Sequence, residues 1–265
     1  METFSLLTLN CFGAPGMGAT ARLQYLGQHL NRADYAIVCL QEVQTHRYRR
    51  LLTRTCGDAY PAQAHQTFIH APKGGLLTLS QFALEKSEFI LFQKRGLWYT
   101  PALADWILHK GILVTHLMLG ELPVVVMNTH LTANYTGNWS RQNVFARQEH
   151  HELMQIAEVV NEQPADHLVI VCGDFNIPRA SWLYDSFIDA SGLTDSMAGD
   201  QRPTFRPHRG MGSKFGVPID YVLYRAPATH APTVTADLQF ADKVDIAGRS
   251  AYVSDHMAIE TRFGW

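Results

Sequence analysis

The 265-residue sequence has little cysteine: Cys11, Cys39, Cys56 and Cys172 are its only four. They form no CxxC pair and fall far short of a disulfide-stapled scaffold, so a reducing compartment is the simpler expectation. No stretch approaches the roughly 18 consecutive apolar residues of a membrane-spanning helix. Residues Met1 to Asn10 run straight into an apolar segment with neither a basic n-region nor a small-residue cleavage site, and the chain is expected to be soluble and cytoplasmic. It also lacks an excess of either charge, with 22 basic against 24 acidic residues and a net charge of -2. That balance excludes a surface dominated by positive field, as in a nonspecific nucleic-acid binder, and leaves local basic patches open. Neither an internal repeat, a low-complexity tract nor a Pro/Gly/Ser linker divides the chain, so residues 1–265 read as one domain.

The remaining composition, 46% hydrophobic and 17% charged, is that of a folded protein with a substantial core. Short apolar, β-rich runs recur at Phe4–Leu9, Ala36–Leu40, Leu76–Leu79, Gly111–Leu119, Val124–Met127, Leu168–Cys172, Tyr221–Tyr224 and Met257–Ile259. Helical spacing appears in Leu23, Leu26 and Leu30 and again in Leu153, Ile156, Ala157 and Val160. Ser140 is the expected cap of the second of these helices, which should run to about Asn161, and a shorter helix after Pro178 should end near Gly192. Strands covered by helices imply a layered α/β domain.

Polar groups flank the strands in an ordered way. Asn10, Gln41 with Glu42, Asn128 with His130, and Asp174 with Asn176 follow four of the runs; Asp220 and the Ser254-Asp255-His256 triplet precede two others. If those last two strands run antiparallel to the first four, all six groups meet at one sheet edge. The set suits phosphoester cleavage, which needs phosphoryl charge neutralised, a water oriented and a leaving oxygen stabilised. Glu42 offers a hard carboxylate to Mg²⁺, with Mn²⁺ as a substitute, and Asn10 offers an amide oxygen. Asp174 is placed to orient water, Asn176 and His130 to contact phosphoryl oxygens, and Asp220 to fix the His256 tautomer. Each residue alone also has an ordinary structural reading: a solvated strand-end Glu, a Gly-Asp-x-Asn turn, a hydrogen-bonded His.

The joint order LTLN, LQEV, NTHL, GDFN, IDYVLY and SDH resembles the endonuclease/exonuclease/phosphatase superfamily from Thr8 to the last strand. The resemblance implies a four-layered αββα sandwich, two mainly antiparallel or mixed sheets flanked by helices. It also implies that Glu42 carries the metal with help from Asn10, that His130 and Asn176 bind phosphate, and that Asp174 positions the nucleophile. Asp220 would pair with His256, and Asp255 would lie beside a second metal position. The stretches LTLNCFGAPG, GGLLTLSQF, DWILHKGILVTHL, THLTANY and FGVPIDYVLY further resemble neutral sphingomyelinases, which adds Lys110 and Asn134 as substrate contacts. Thr132 departs from that pattern where a second His is common, and Pro218 departs where an Arg is common. The loop Gln201–Pro218 carries Arg202, Arg206, Arg209 and Lys214, and Arg206 is expected to meet an anionic substrate. The expected substrate is a phosphodiester, lipid-type or nucleic acid, with contact at a membrane surface through Ala102–Ile107, Trp106 above all. A nuclease on the same scaffold and a noncatalytic binding module are the alternatives.

Overall fold

The computed structural model describes residues 3–94, 103–208, 210–228 and 231–265, with the side chains of 103–105 and 213 left out. In chain order the elements are β1 (Thr3–Asn10), α1 (Ala19–Leu30), β2 (Ile37–Gln41), α2 (His46–Thr55), β3 (Ala62–Ala64), β4 (Leu77–Ser80), β5 (Leu84–Leu91), α3 (Leu103–Leu108), β6 (Gly111–Leu119) and β7 (Leu122–His130). There follow α4 (Val144–Asn161), β8 (Leu168–Asp174), α5 (Trp182–Ser191), β9 (Thr194–Asp195), β10 (Asp220–Arg225), β11 (Thr233–Gln239), β12 (Val244–Ile246), β13 (Arg249–Ala251) and β14 (Ala258–Gly264).

Two six-stranded mixed sheets stack face to face. One has the order β11-β14-β1-β2-β4-β3 and the other β5-β6-β7-β8-β10-β9, with β12-β13 as a separate ribbon. Each has one parallel pair near its middle, β1 with β2 and β7 with β8, among antiparallel neighbours. Strands covered on both faces cannot alternate apolar with polar residues. That is why β8 reads as the unbroken run Leu168–Cys172, all of it buried. Leu6, Ile37, Cys39, Val126, Ile170, Cys172, Val222 and Ile259 fill the space between the sheets. The apolar stripe of α1 packs outside the first sheet, and that of α4 and α5 outside the second. The four-layered sandwich implied by the resemblance is therefore present.

The conditional strand directions also hold, because β14 runs antiparallel to β1 and β10 antiparallel to β8. The polar groups do not line one sheet edge, however. Asn10, Glu42 and His256 come from the first sheet; His130, Asp174 and Asp220 come from the second, and they meet where two sheet ends face each other. A buried amide pair ties those ends together. Gln41 Nε2 donates to Asn128 Oδ1 at 2.8 Å, and Asn128 Nδ2 donates to the carbonyls of Leu40 and Leu77, both at 3.2 Å.

Helix α5 starts and stops as expected, capped by the Ser181 hydroxyl and ended by Gly192 in the left-handed region (φ 65°). Helix α4 begins three residues later than expected. Its cap is Asn143, whose Oδ1 accepts from the Phe145 and Ala146 amides at 2.9 and 3.3 Å, whereas Ser140 lies in the preceding turn. Asn143→Ala should therefore cost about 1 kcal/mol in urea denaturation, and Ser140→Ala less than ~0.5 kcal/mol. A larger loss at Ser140 would contradict this placement.

Candidate active site

The chain turns sharply at the end of β2 to present Glu42, which takes φ 58°, a region costly for a residue with a Cβ. Gly13 permits the turn, since a Cβ there would lie 2.0 Å from the Glu42 carbonyl oxygen. Asn10 spans the seam between the sheets: its Nδ2 donates to Glu42 Oε1 at 3.2 Å and to Asp174 Oδ2 at 2.9 Å. Its Oδ1 accepts the Phe12 N–H at 3.0 Å. That backbone donor fixes which end of the amide faces the carboxylates. The structure thus corrects the expectation that Asn10 extends an oxygen beside Glu42, since it is the NH₂ end that holds the Glu42 and Asp174 carboxylates in place.

Asp220 begins β10 opposite Asp174, the last residue of β8. Its Oδ2 lies 2.9 Å from His256 Nδ1, while His256 Nε2 is 3.7 Å from Asp174 Oδ2. The hydroxyl of Thr204 accepts the amides of Ile219 and Asp220, and that of Ser254 donates to the Asn10 carbonyl at 2.6 Å and accepts the His256 amide. These two hydroxyls seat the dyad; Ser254 stood in the triplet that the sequence marked, whereas Thr204 did not stand out. Burial works against charge on His256, but the carboxylates of Asp220 and Asp174 outweigh it and raise the imidazole's pKa. His130 moves the other way, lowered by burial and by the nearby positive charge of Lys110 and His256. Its Nε2 sits 3.4 Å from Asp174 Oδ2, so the neutral ring carries its proton there.

Asn176 adopts φ 55° and donates from Nδ2 to the Leu131 carbonyl at 3.0 Å. Buried Lys110 reaches the same carbonyl with its Nζ at 2.6 Å. Asp255 Oδ1 lies 3.2 Å from the Ser254 hydroxyl, and its Oδ2 pairs with His208 Nε2 at 3.0 Å. Glu42, Lys110, His130, Asp174, Asn176, Asp255 and His256 line one cleft of about 350 Å³, together with Asn134 and the rings of Phe12, Tyr135, Trp139, Phe205, His208 and Phe215, while Asn10 and Asp220 stand behind its wall. Asn134 organises its own loop, donating to the Asn138 carbonyl and accepting from Thr136. Gln44 also enters the site, donating to Glu42 Oε2 at 3.3 Å.

Arg206 is a correction. Its guanidinium donates to the carbonyls of Ser254, His256, Phe240 and Ala241, and it stacks 4.2 Å from the Tyr252 ring. It is a strut behind the Ser254–His256 segment, outside the cleft. The other described arginine and lysine of the loop are similarly committed. Arg202 pairs with Asp200 and Asp237, Lys214 donates to the Thr136 carbonyl, and Arg209 lies outside the described residues. Ala102 also lies outside them; of its segment, Trp106 and Ile107 are exposed by 40% and 45%. No helix among the described residues is long and apolar enough to cross a membrane.

The donor set fits a hard divalent cation. Glu42 is pushed toward protonation by burial and by Asp255, and the groups bonded to it are the amides of Asn10 and Gln44. Burial raises Asp174 as well, to about 7, so the crowded carboxyls of Glu42, Asp174, Asp220 and Asp255 are ones that a bound cation would help to ionise. Asp174, Asp220 and His256 also offer ligand atoms within 4.8 Å of one another. The short Asp220–His256 contact already occupies that group, so Glu42 is the better anchor.

The sign of the His256 shift has a consequence. Its pair with Asp220 contributes stability that is fully present below the ordinary imidazole value of 6.5 and lost as pH rises toward about 10. NMR of the ring nitrogens should find His256 protonated at neutral pH and, in Asp220→Asn, titrating lower. A neutral His256 in the parent protein at pH 7 would refute the pairing.

Known proteins supply the last observation. The family model described as "Endonuclease/Exonuclease/phosphatase family" matches residues 7–256. A putative neutral sphingomyelinase of Drosophila melanogaster is 25% identical over 267 residues, covering 96% of this chain. The chain spans 59% of that relative's length. Among solved structures, SmcL matches with a TM-score of 0.79 at 16% identity, covering 99% of both chains. TDP2 of D. rerio, solved with a single strand DNA product, matches with a TM-score of 0.74 at 19% identity, covering 100% of both. A fold shared at that level, and a family match running across nearly the whole chain and every residue of the cleft's polar set, lead to one conclusion: the chain belongs to the endonuclease/exonuclease/phosphatase family.

Proposed function

We propose that this chain is a Mg²⁺-dependent phosphodiesterase, sphingomyelinase-like, that hydrolyses its substrate by in-line attack of water at phosphorus. The observation that carries the reading is the Asp220–His256–Asp174 cluster facing Glu42 across the Asn10 amide. Asp174 orients the water, its Oδ2 being held by Asn10 and flanked by both imidazoles. The Nε2–H groups of protonated His256 and neutral His130, 3.7 and 3.4 Å from Asp174 Oδ2, are long contacts that can be shared with a phosphoryl oxygen as charge builds in the transition state. Asn176 and Lys110, set against the Leu131 carbonyl, add donors on the same wall. A hard cation held by Glu42, with Asp255 nearby, supplies charge neutralisation and stabilises the leaving oxygen when bound.

The mouth of the cleft favours a lipid- or choline-type ester over a nucleic acid. Its rim is apolar and aromatic, with Phe12, Leu108, Tyr135, Phe205, Met211 and Phe215, a lining suited to alkyl groups or a quaternary ammonium. A polyanion instead needs several unspent cations tracking its backbone, and here Arg202, Arg206 and Lys214 are engaged within the fold. Exposed Trp106 and Ile107 adjoin the rim at Leu108 and form the edge offered to a membrane surface.

Hydrolysis of sphingomyelin in mixed micelles, abasic DNA and single-stranded DNA at equal Mg²⁺ tests this reading. The expected result is a higher kcat/KM on sphingomyelin, abolished by EDTA and restored by Mg²⁺. Glu42→Gln should keep the fold and lose at least ~100-fold in kcat. A preference for DNA that disappears in Glu42→Gln would overturn the lipid reading alone; full turnover after verified metal removal would overturn the catalytic one.

A further inference from the structure

Two glutamates are buried where α4 packs on the second sheet, and neither reaches the cleft. Glu149 and Glu152 lie three residues apart on one face of the helix, at 0% and 1% exposure. Burying two like charges side by side costs several kcal/mol unless each finds compensation. The compensation is unequal. Glu152 accepts from the Thr132 amide at 2.9 Å, the Thr132 hydroxyl at 2.6 Å and Gln148 Nε2 at 2.9 Å. Glu149 has no hydrogen-bond partner at either carboxyl oxygen. Burial and the Glu152 charge push Glu149 well up, with the Asn134 amide and Lys110 opposing them.

What Glu152 grips matters more than the grip itself. Thr132 is two residues beyond His130, and between them lies Leu131. The Leu131 amide donates to the Asp174 carbonyl at 3.0 Å, and its own carbonyl is the shared acceptor of Lys110 and Asn176. A shift of Thr132 would therefore move three groups of the cleft wall together.

We propose that Glu152 is a positioning residue: its carboxylate clamps Thr132 and so fixes the Leu131 carbonyl against which Lys110 and Asn176 are set. Glu149, opposed only by the Asn134 amide and Lys110, is driven further toward its neutral form than Glu152, which burial raises to about 7 against the donors of Gln148 and Thr132. This assignment rests on the proposed phosphodiesterase reading and adds to it a residue that does not touch substrate. It also gives Thr132, which stands where the resembled pattern commonly has a second His, a role of its own, since its hydroxyl is spent on α4.

Glutamine substitution separates the two glutamates. Every atom facing the Glu152 carboxylate is a donor, and Gln148 Nε2 is also pinned by the Lys94 carbonyl. Glu152→Gln must therefore set an NH₂ against a donor, whereas Glu149→Gln replaces a neutral group with one of the same shape. With an aryl phosphodiester and sphingomyelin as probes, Glu152→Gln should lose at least ~10-fold in kcat with KM held within ~3-fold. Glu149→Gln should stay within ~2-fold of the parent and keep its Tm. If Glu152→Gln does not fold, Thr132→Ser and Thr132→Val replace it: serine should keep kcat and valine lose it. Parent-like kcat in Glu152→Gln or Thr132→Val, or equal losses in both glutamine variants, overturns the assignment. Retained turnover in Glu42→Gln would instead indict the underlying reading of the cleft.

Discussion

A buried bridge between two side-chain amides, Gln41 on β2 and Asn128 on β7, holds the ends of the two sheets in register, and the cleft depends on that register. The sheets touch elsewhere through apolar packing, which resists separation but specifies sliding poorly. Amides buried at 0% exposure tolerate little displacement, because each lost hydrogen bond leaves a polar group stranded away from water. The Asn128 amide reaches past Gln41 to the backbone of β2 and of β4. One step nearer the solvent, Asn10 repeats the crossing by joining Glu42 to Asp174. Half of the candidate chemistry sits on each sheet, so neither sheet alone makes a site.

Register also fixes the electrostatics. Two imidazoles lie on either side of one carboxylate oxygen, yet their surroundings drive them to opposite protonation states. His256 has Asp220 behind it and stays charged; His130 has an unpartnered Nδ1 behind it and Lys110 close by, and stays neutral. A pair of titratable groups pushed apart by environment is characteristic of a site built for proton and charge handling. The carboxyls crowded around Glu42, held toward protonation by burial, are the complement of a divalent cation.

Much of this was legible in the sequence because strand-end polar residues are ordered along the chain, and buried strands announce themselves as apolar runs. Strands β5 and β11 gave no such signal. LEKSEFIL and TVTADLQ are edge segments with charged, partly exposed faces, where pairing and not burial makes the strand. Ser140 and Asn143 are both good caps, and composition cannot choose between them; the turn from Asn138 through Ser140 decided for Asn143. Arg206 looked like a substrate contact because a basic loop beside a phosphate site attracts that reading. Its four carbonyl acceptors come from residues 34 to 50 positions away. The aromatic rim was illegible for the same reason, since Phe12, Tyr135, Phe205 and Phe215 meet only after both sheets have closed.

If the two sheet ends build a site for in-line attack of water at phosphorus, the reaction must record it in its stereochemistry. The most direct measurement is a single turnover in isotopically labelled water of a phosphorothioate diester of defined configuration. The expected result is label in the phosphoryl product with inversion at phosphorus. Label in the alcohol fragment, or retention of configuration, would contradict direct water attack and with it the roles assigned to Asp174 and His256.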